Sequence, residues 1–597
     1  MCLKLTYFRL FHLFVAKFST FEFLQAAPEG HSQFLDGHAQ MHSEEDDLDQ
    51  CLYYLRTLSN IFRWSSDGMW AALAENTIST DASHRSLYRI SEYSDQNKGI
   101  VLTSLAGRDG EITLLEFFLH VCLRSISGSH DPQNSHLKAR TSQFHRTALT
   151  TLHQILLSPY SSPLAELQLE HVLIDILSHS LDGPDPFIQV LLLDVVFASM
   201  KIRNLSQPAA PPLSPTTEHK RPIAQETNQG RPSLTIRRAS ISLPVPPASL
   251  VKCLQAGFAA PSSRPVLDSW VSFLTECLPL YTDTIFQILI PLVETLCSEV
   301  GQTFSNLQKT FEDSGAATEG AATPESTLIS LLNGLEHVLA KGHDRLLHDE
   351  LRLPVVKSPD QPQGFFGNMV SGVFTSETPQ ARSVTANNRL TVLLSFQDAV
   401  RICFTIWSWG GRDTSAQDAD SAASFNYTSL RMRNRARRLL EHLFAAETLE
   451  CLETVVEVWQ KSARSQNARS PVVFNLLHVL DGSSPKHTIP AIFNAIYSRT
   501  NPTALDPARK STLTSSLNDT DLVIFLVEYA RSLEDDAMDE IWADCMTFLK
   551  DLLANPFPHR QTLPSLLEFA AILGEKVDNT NFGEQRRMRR ELGVSHY

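Results

Sequence analysis

Apolar residues recur at intervals of three and four along most of this chain, the spacing that gathers them on one side of a helix. Between positions 536 and 555 they fall at Met538, Ile541, Cys545, Leu549 and Leu552, with Trp542, Phe548 and Leu553 on the flanks. Asn555-Pro556 ends that helix, because proline pushes the residue before it out of helical geometry. Leu522, Phe525, Leu526, Tyr529 and Leu533 give the helix before it, and Leu563, Leu567, Ala570, Leu573 and Val577 the helix after it. A striped helix buries its stripe only against a neighbour, and short joints make consecutive helices antiparallel, so a run of them predicts a stacked array.

The same spacing predicts helices over 48–62, 112–126, 141–157, 164–181, 186–202, 266–278, 284–300, 328–340 and 390–409. Asp185-Pro186 reads as an N-cap followed by proline in the first turn, and Asp182-Gly183-Pro184 as the stop of the helix before it. Pro291 predicts a kink in its helix. The helix at 390–409 is apolar nearly all round, as in the middle of an array. No strict period is visible. The expected class, all-α, an α-solenoid of stacked antiparallel helix pairs (HEAT-, armadillo- or TPR-like) with disordered inserts, therefore rests on helix spacing.

Composition punctuates this pattern. Residues 1–47 read as a non-native or disordered extension: the start loosely resembles a signal peptide, but His12 interrupts a short apolar core, and Lys17 and Glu22 follow where small residues belong. Helical repeats are expected over 48–203. A proline- and serine-rich linker follows at 204–249, too poor in bulky apolar groups to offset its ordering entropy. Helical repeats resume at 250–353, give way to an irregular insert at 354–388, and return at 389–592 with a loop at 411–424; 593–597 read as a non-native tail. The helix beginning near 586–592 is cut short, so the end looks truncated.

A formal charge of −15 on 597 residues argues against general nucleic-acid binding. The nine cysteines are scattered on apolar helix faces with no C-x-x-C pair, the pattern of reduced core thiols. Phosphate-loop, dinucleotide-binding, zinc-protease and nucleophile-elbow motifs are absent from the sequence. His343 and His348 lie beside Asp344, Asp349 and Glu350, but residues five apart diverge on a helix. No constellation of an enzyme and no cofactor is therefore expected. Contact surfaces are. Phe365, Phe366, Met369, Val370, Val373 and Phe374 could line one side of a short helix, either a partner or membrane contact or a plug for a groove of the array. Arg431, Arg433, Arg435, Arg437 and Arg438 read either as a solvated face or as an attractor for acidic lipid headgroups or an acidic partner. Ser240, after Arg237-Arg238, and Ser214, before Pro215, are candidate phosphorylation sites in the linker.

Several long strings carry more than spacing can. They lie at 474–482 (FNLLHVLDG), 488–502 (TIPAIFNAIYSRTNP), 508–512 (ARKST), 557–560 (FPHR) and 579–584 (NTNFGE), and further back at 267–274 (LDSWVSFL), 364–374 (GFFGNMVSGVF) and 401–409 (RICFTIWSW). Together they resemble the dopey family of large trafficking proteins, middle region, fungal type. Dopey proteins are longer, with conserved helical regions at both ends, and the resemblance implies an internal fragment lacking both. It further implies a non-enzymatic scaffold in vesicle-mediated transport between endosomes and Golgi, cytoplasmic and peripheral to those membranes. Its implied partners are a Sec7-related Golgi scaffold protein and a phospholipid flippase. Alternatives for a solenoid are a nuclear transport receptor or a regulator of a small GTPase.

Overall fold

The computed structural model describes residues 2–21, 24, 41–42, 47–64, 66–79, 111–127, 129–130, 135–205, 245–312, 324–352, 384–409, 419–464, 470–480, 483–506, 509–579, 588, 590 and 593. Almost all are helical, and they fall into two compact units, Met1–Asp283 and Thr284–Tyr597. The fold class is all-α and solenoidal. The Phe365–Phe374 insert, Ser214, Ser240 and most of the linker lie outside the described residues.

In the first unit the helices are α1 (Cys2–Phe18), α2 (Leu48–Trp64), α3 (Asp67–Glu75), α4 (Leu114–Ser127), α5 (Ser135–Leu156), α6 (Leu169–Ser180), α7 (Pro186–Leu205), α8 (Ala248–Ala259) and α9 (Leu267–Cys277). From α5 onward each packs on the next-but-one helix: α5 on α7 on α9 in one row, α6 on α8 in the other, with α6–α7 and α8–α9 bridging them. That double row is how a stripe finds cover on two sides. The first residues differ from the sequence expectation. Residues 2–18, read as part of an extension, form a helix whose Phe11, Phe14, Val15 and Phe18 are buried, with Phe11 edge-on to Phe118 of α4 and within ring contact of Phe62 of α2.

Two further departures have local causes. The helix expected from Ile112 starts at Leu114, because Glu111–Thr113 pairs antiparallel with Thr77–Ser79. Thr113 and Glu116 then cap α4 reciprocally: the Glu116 amide donates to Thr113 Oγ1 at 3.1 Å and the Thr113 amide to Glu116 Oε2 at 2.9 Å. The single helix expected at 164–181 breaks into a 3₁₀ turn, Ser162–Leu167, and α6, with Gln168 left-handed at φ 47°. A left-handed residue costs about 1–2 kcal/mol, less than the about 1.5–3 kcal/mol gained for each of Leu164, Leu167 and Leu169 that the break buries. Asp185 caps α7 as expected, accepting from the Phe187 amide at 3.1 Å.

The second unit holds α10 (Ile285–Glu312), α11 (Pro324–Arg352), α12 (Val384–Trp407), α13 (Ala419–Ala446), α14 (Thr448–Arg464), α15 (Ser470–Val479), α16 (Pro485–Thr500), α17 (Asp519–Ser532), α18 (Met538–Ala554) and α19 (Leu563–Asn579). One row runs α10, α12, α14, α16, α18; α11 packs on α13, and α17 on α19, across from it. α12 alone among the described helices is long and apolar enough to cross a membrane by length and composition, yet 61% of that window is buried, the setting of a core helix. The stripe of α18 is buried as its spacing predicts, and so is that of α17. In α19, Ala570, Leu573 and Val577 are buried as expected, but Leu567 is exposed, and Leu566 and Phe569 take core positions, Phe569 lying edge-on to Phe493 of α16.

Candidate functional site: a carboxylate row beneath a hydroxyl-rich loop

Residues 501–518 join α16 to α17, and this connection is where the second unit departs most from an expected string of short joints. After the 3₁₀ turn Pro502–Ala504, residues 510–518 have no helix or strand, and a stretch of that length needs partners for its polar backbone. It finds them on α14. Glu450, Glu453 and Glu457 are spaced three and four apart, so they share a face, and all three are buried. The loop lies along that face. The Thr512 amide donates to Glu450 Oε1 at 2.8 Å and its hydroxyl to Oε2 at 3.0 Å. The Ser515 hydroxyl donates to Glu453 Oε2 at 2.8 Å, and the Ser516 hydroxyl to Glu457 Oε1 at 3.2 Å. Leu513 turns outward with φ 56°, which lets residues on either side of it reach inward.

The three carboxylates are neutralised differently. Arg499 of α16 forks onto both oxygens of Glu453 at 2.9 Å each and anchors the loop through Leu517 O at 3.0 Å and Ser515 Oγ at 2.8 Å. Burial pushes Glu457 upward in pKa, but the hydrogen bonds and charges of Lys461 and Arg401 outweigh it and hold this carboxyl below the ordinary range. Glu450 has no guanidinium or ammonium bonded to it among the described residues. It takes only neutral donors, those of Thr512 and Gln397 of α12 (3.2 Å), and burial raises its pKa, with the neighbouring Glu453 adding to the rise.

The arginine run sits on α13 and is largely spent on helix-to-helix contacts. Arg431 pairs with Glu325 of α11 at 2.8 Å; Arg433 donates to Trp407 O at 2.8 Å and lies 5.4 Å over the Trp407 ring; Arg435 bonds Asn333 and Glu336 of α11; Arg437 is 3.6 Å from Glu441. Arg438 is exposed. The five are therefore not one open cationic face. His343 lies 3.6 Å from Glu447 and beside Phe396, whereas Glu350 pairs with Arg389 at 2.8 Å, so the acids and histidines of 343–350 point to different partners; no group of three metal-ligating side chains occurs among the described residues.

In the first unit, a groove of about 1000 Å³ lies between α2, α5 and the turn before α7, lined among others by Arg56, Asn60, Lys138, Ser142 and Phe187. Arg146 stands in it, forked onto Asp185 at 2.7 and 2.8 Å and stacked 5.2 Å over Phe187. The eight cysteines from Cys51 onward are all free and seven are buried, with burial raising Cys253 to about 11 and Cys297 to about 12. Neither the groove nor the glutamate row was foreseen in the sequence. For the row a signal existed: glutamates at three-and-four spacing among the apolar Cys451, Leu452, Val455, Val456 and Trp459, with five hydroxyl residues among 511–516.

Residues 525–595 match the family model described as DOP1 C-terminal. The chain thus carries sequence of that conserved C-terminal region, which the sequence reading had placed beyond it. Protein dop1 of Emericella nidulans is 48% identical over 560 residues, 92% of this chain and 29% of the relative. Protein DOP1 of Saccharomyces cerevisiae is 30% identical over 343 residues, 55% of this chain and 19% of the relative. A solved circular tandem repeat protein aligns over 92% of this chain at 11% identity and a TM-score of 0.24, too remote a likeness to carry any argument. The chain spans under a third of the length of these curated relatives, but the similarity runs through both of its units, and it belongs to the dopey family.

Proposed function

We propose that this chain acts as a non-enzymatic scaffold in vesicle-mediated protein transport between endosomes and Golgi, on the cytoplasmic side and peripheral to those membranes. The observation that carries this is the 48% identity to Protein dop1 across 92% of the chain, joined to the trafficking role that resemblance to the dopey family implies. The architecture is consistent with it physically. Helices in two rows spend one face on each other and turn the opposite face outward, and large apolar side chains stand there: Tyr53 and Trp64 of α2, Phe187 of α7, Ile524 of α17, and Phe557. Exposed aromatics of this kind are the anchors around which protein interfaces concentrate their energy. The partners proposed are a Sec7-related Golgi scaffold protein and a phospholipid flippase, with an acidic membrane surface as a further contact.

The test is proximity labelling in fungal cells from a biotin ligase fused to the whole gene product. Label is expected on Golgi and endosomal proteins, the Sec7-related scaffold among them. Label concentrated on nuclear-pore proteins, or spread evenly through the cytosol, would remove the proposal.

A further inference from the structure

We propose that Thr512 is a phosphorylation site and that the phosphate releases residues 509–518 from the glutamate row of α14. The inference stands apart from the trafficking role and needs no partner to be known. Thr512, Ser515 and Ser516 hold the loop down by donating hydroxyl protons to Glu450, Glu453 and Glu457. A carboxylate only accepts, so each contact exists because the hydroxyl supplies the proton. Of the three, the Thr512 contact is the one without a cation bonded to its acid: Arg499 bonds Glu453, and Arg401 and Lys461 bond Glu457.

In the modification, Thr512 Oγ1 forms a bond to the γ-phosphorus of a nucleoside triphosphate held by a protein kinase. The bond from that phosphorus to the bridging oxygen breaks, the nucleoside diphosphate departs, and the hydroxyl proton leaves to the kinase's base. The donor has then become a dianionic acceptor beside the Glu450 carboxylate to which it was bonded at 3.0 Å. Two like charges replace the hydroxyl's hydrogen bond; Gln397, which bonds both Glu450 and Thr514, cannot neutralise either, and Arg389, which acts on Glu450 electrostatically, is bonded to Glu350 and Glu447 instead. The sequence favours delivery of the phosphate: Arg509 stands three residues before Thr512 and Lys510 two before it, both exposed, the cationic flank a basophilic kinase reads. Freed, the loop can fold Arg509 or Lys510 back onto the phosphate. Thr512 itself is half-exposed while pinned, and the loop opens from its exposed residues Leu513 and Thr514.

The test uses the full chain, the catalytic subunit of a basophilic kinase, and ATP. Phosphopeptide mapping is expected to place phosphate on Thr512, and hydrogen exchange to show about tenfold or faster exchange in 509–518 with α18 unchanged. Thr512→Glu should reproduce the faster exchange without a kinase. Thr512→Val, which removes the hydroxyl but adds no charge, should show a smaller change and accept no phosphate there. Glu450→Gln should mute the effect of Thr512→Glu, because the repelling carboxylate is gone. No phosphate at Thr512 after exhaustive incubation overturns the proposal. So does a loop whose exchange is the same in Thr512→Glu as in the parent, or an opening by Thr512→Glu that is undiminished in Glu450→Gln.

Discussion

At the scale of single residues, the second unit depends on one buried ion pair more than on any exposed one. Glu453 is 2% and Arg499 10% exposed in their side chains, and Arg499 also holds the loop backbone at Leu517. Removing one partner of such a pair leaves the other charge buried and unmatched, a loss of about 3–5 kcal/mol. Arg499→Ala is therefore expected to cost that much in the protection of α14 and α16 by native-state hydrogen exchange. Arg531→Ala, which breaks an exposed pair with Glu568, should cost less than about 1 kcal/mol. Equal losses would mean that the fork contributes no more than a surface pair. The row should also show opposed pH dependences. Glu450 is raised in the fold by burial, so its contribution is fully present below the ordinary carboxylate range and is lost as pH rises through its folded value. Glu457 is held low by Lys461 and Arg401 against burial, so its contribution is present above that range and lost as pH falls through its folded value. Relative to the parent, Glu450→Gln should gain stability as the pH rises from the ordinary carboxylate range upward, while Glu457→Gln should lose it as the pH rises from below that range into it. Thermal midpoints across that range check both signs.

At the scale of elements, packing decides where propensity alone would mislead. Gly257 lies inside α8, where alanine would ordinarily gain about 1 kcal/mol in helix stability. A Cβ there would lie 2.3–2.5 Å from ring carbons of Trp270, which is fully buried on α9 and donates to Gln189 of α7 at 3.1 Å. The ring cannot move without giving up that bond, so the steric term wins: Gly257→Ala is expected to destabilise by about 1–3 kcal/mol. Calorimetry of the variant tests this, a raised melting temperature being the outcome that contradicts it. The same rule explains what could be read in advance. The stripes of α17 and α18 were legible because every apolar position at three-and-four spacing is buried. That of α19 was legible at Ala570, Leu573 and Val577 but not at its start: Leu563-Pro-Ser-Leu-Leu567 offers leucines on two faces, and packing buries Leu566 and exposes Leu567, with Phe569 edge-on to Phe493. The glutamate row was illegible for a deeper reason. Acidic residues at helical spacing read as a solvated face, and nothing local in α14 says that Thr512, about sixty residues later, will cover it. The arginine run on α13 was misleading in the same way, since the acids it pairs with, Glu325 and Glu336, are about a hundred residues earlier.

At the scale of the molecule, the sequence reading set helices against disordered stretches but had no means to place a boundary inside a helical run. The structure groups Met1–Asp283 and Thr284–Tyr597, so a boundary falls between Tyr281, which ends one turn, and Ile285, which begins α10. Stacked arrays gain stability from nearest-neighbour contacts, and a cut that severs few of them should leave each piece with its own core. Each unit has one: Phe118, Leu173 and Trp270 are buried in the first, Leu296, Phe396, Phe444 and Phe525 in the second. Expressed separately, each unit is therefore expected to show helical far-ultraviolet circular dichroism and a cooperative thermal transition. A cut after Ala446 instead separates α12 from α14, and with it Gln397 from Glu450 and Arg401 from Glu457. That piece should expose the acidic row, lose its near-ultraviolet signal and aggregate. If the two cuts gave equally well-folded pieces, stability here would be local to each helix pair and the grouping into two units would have no energetic meaning.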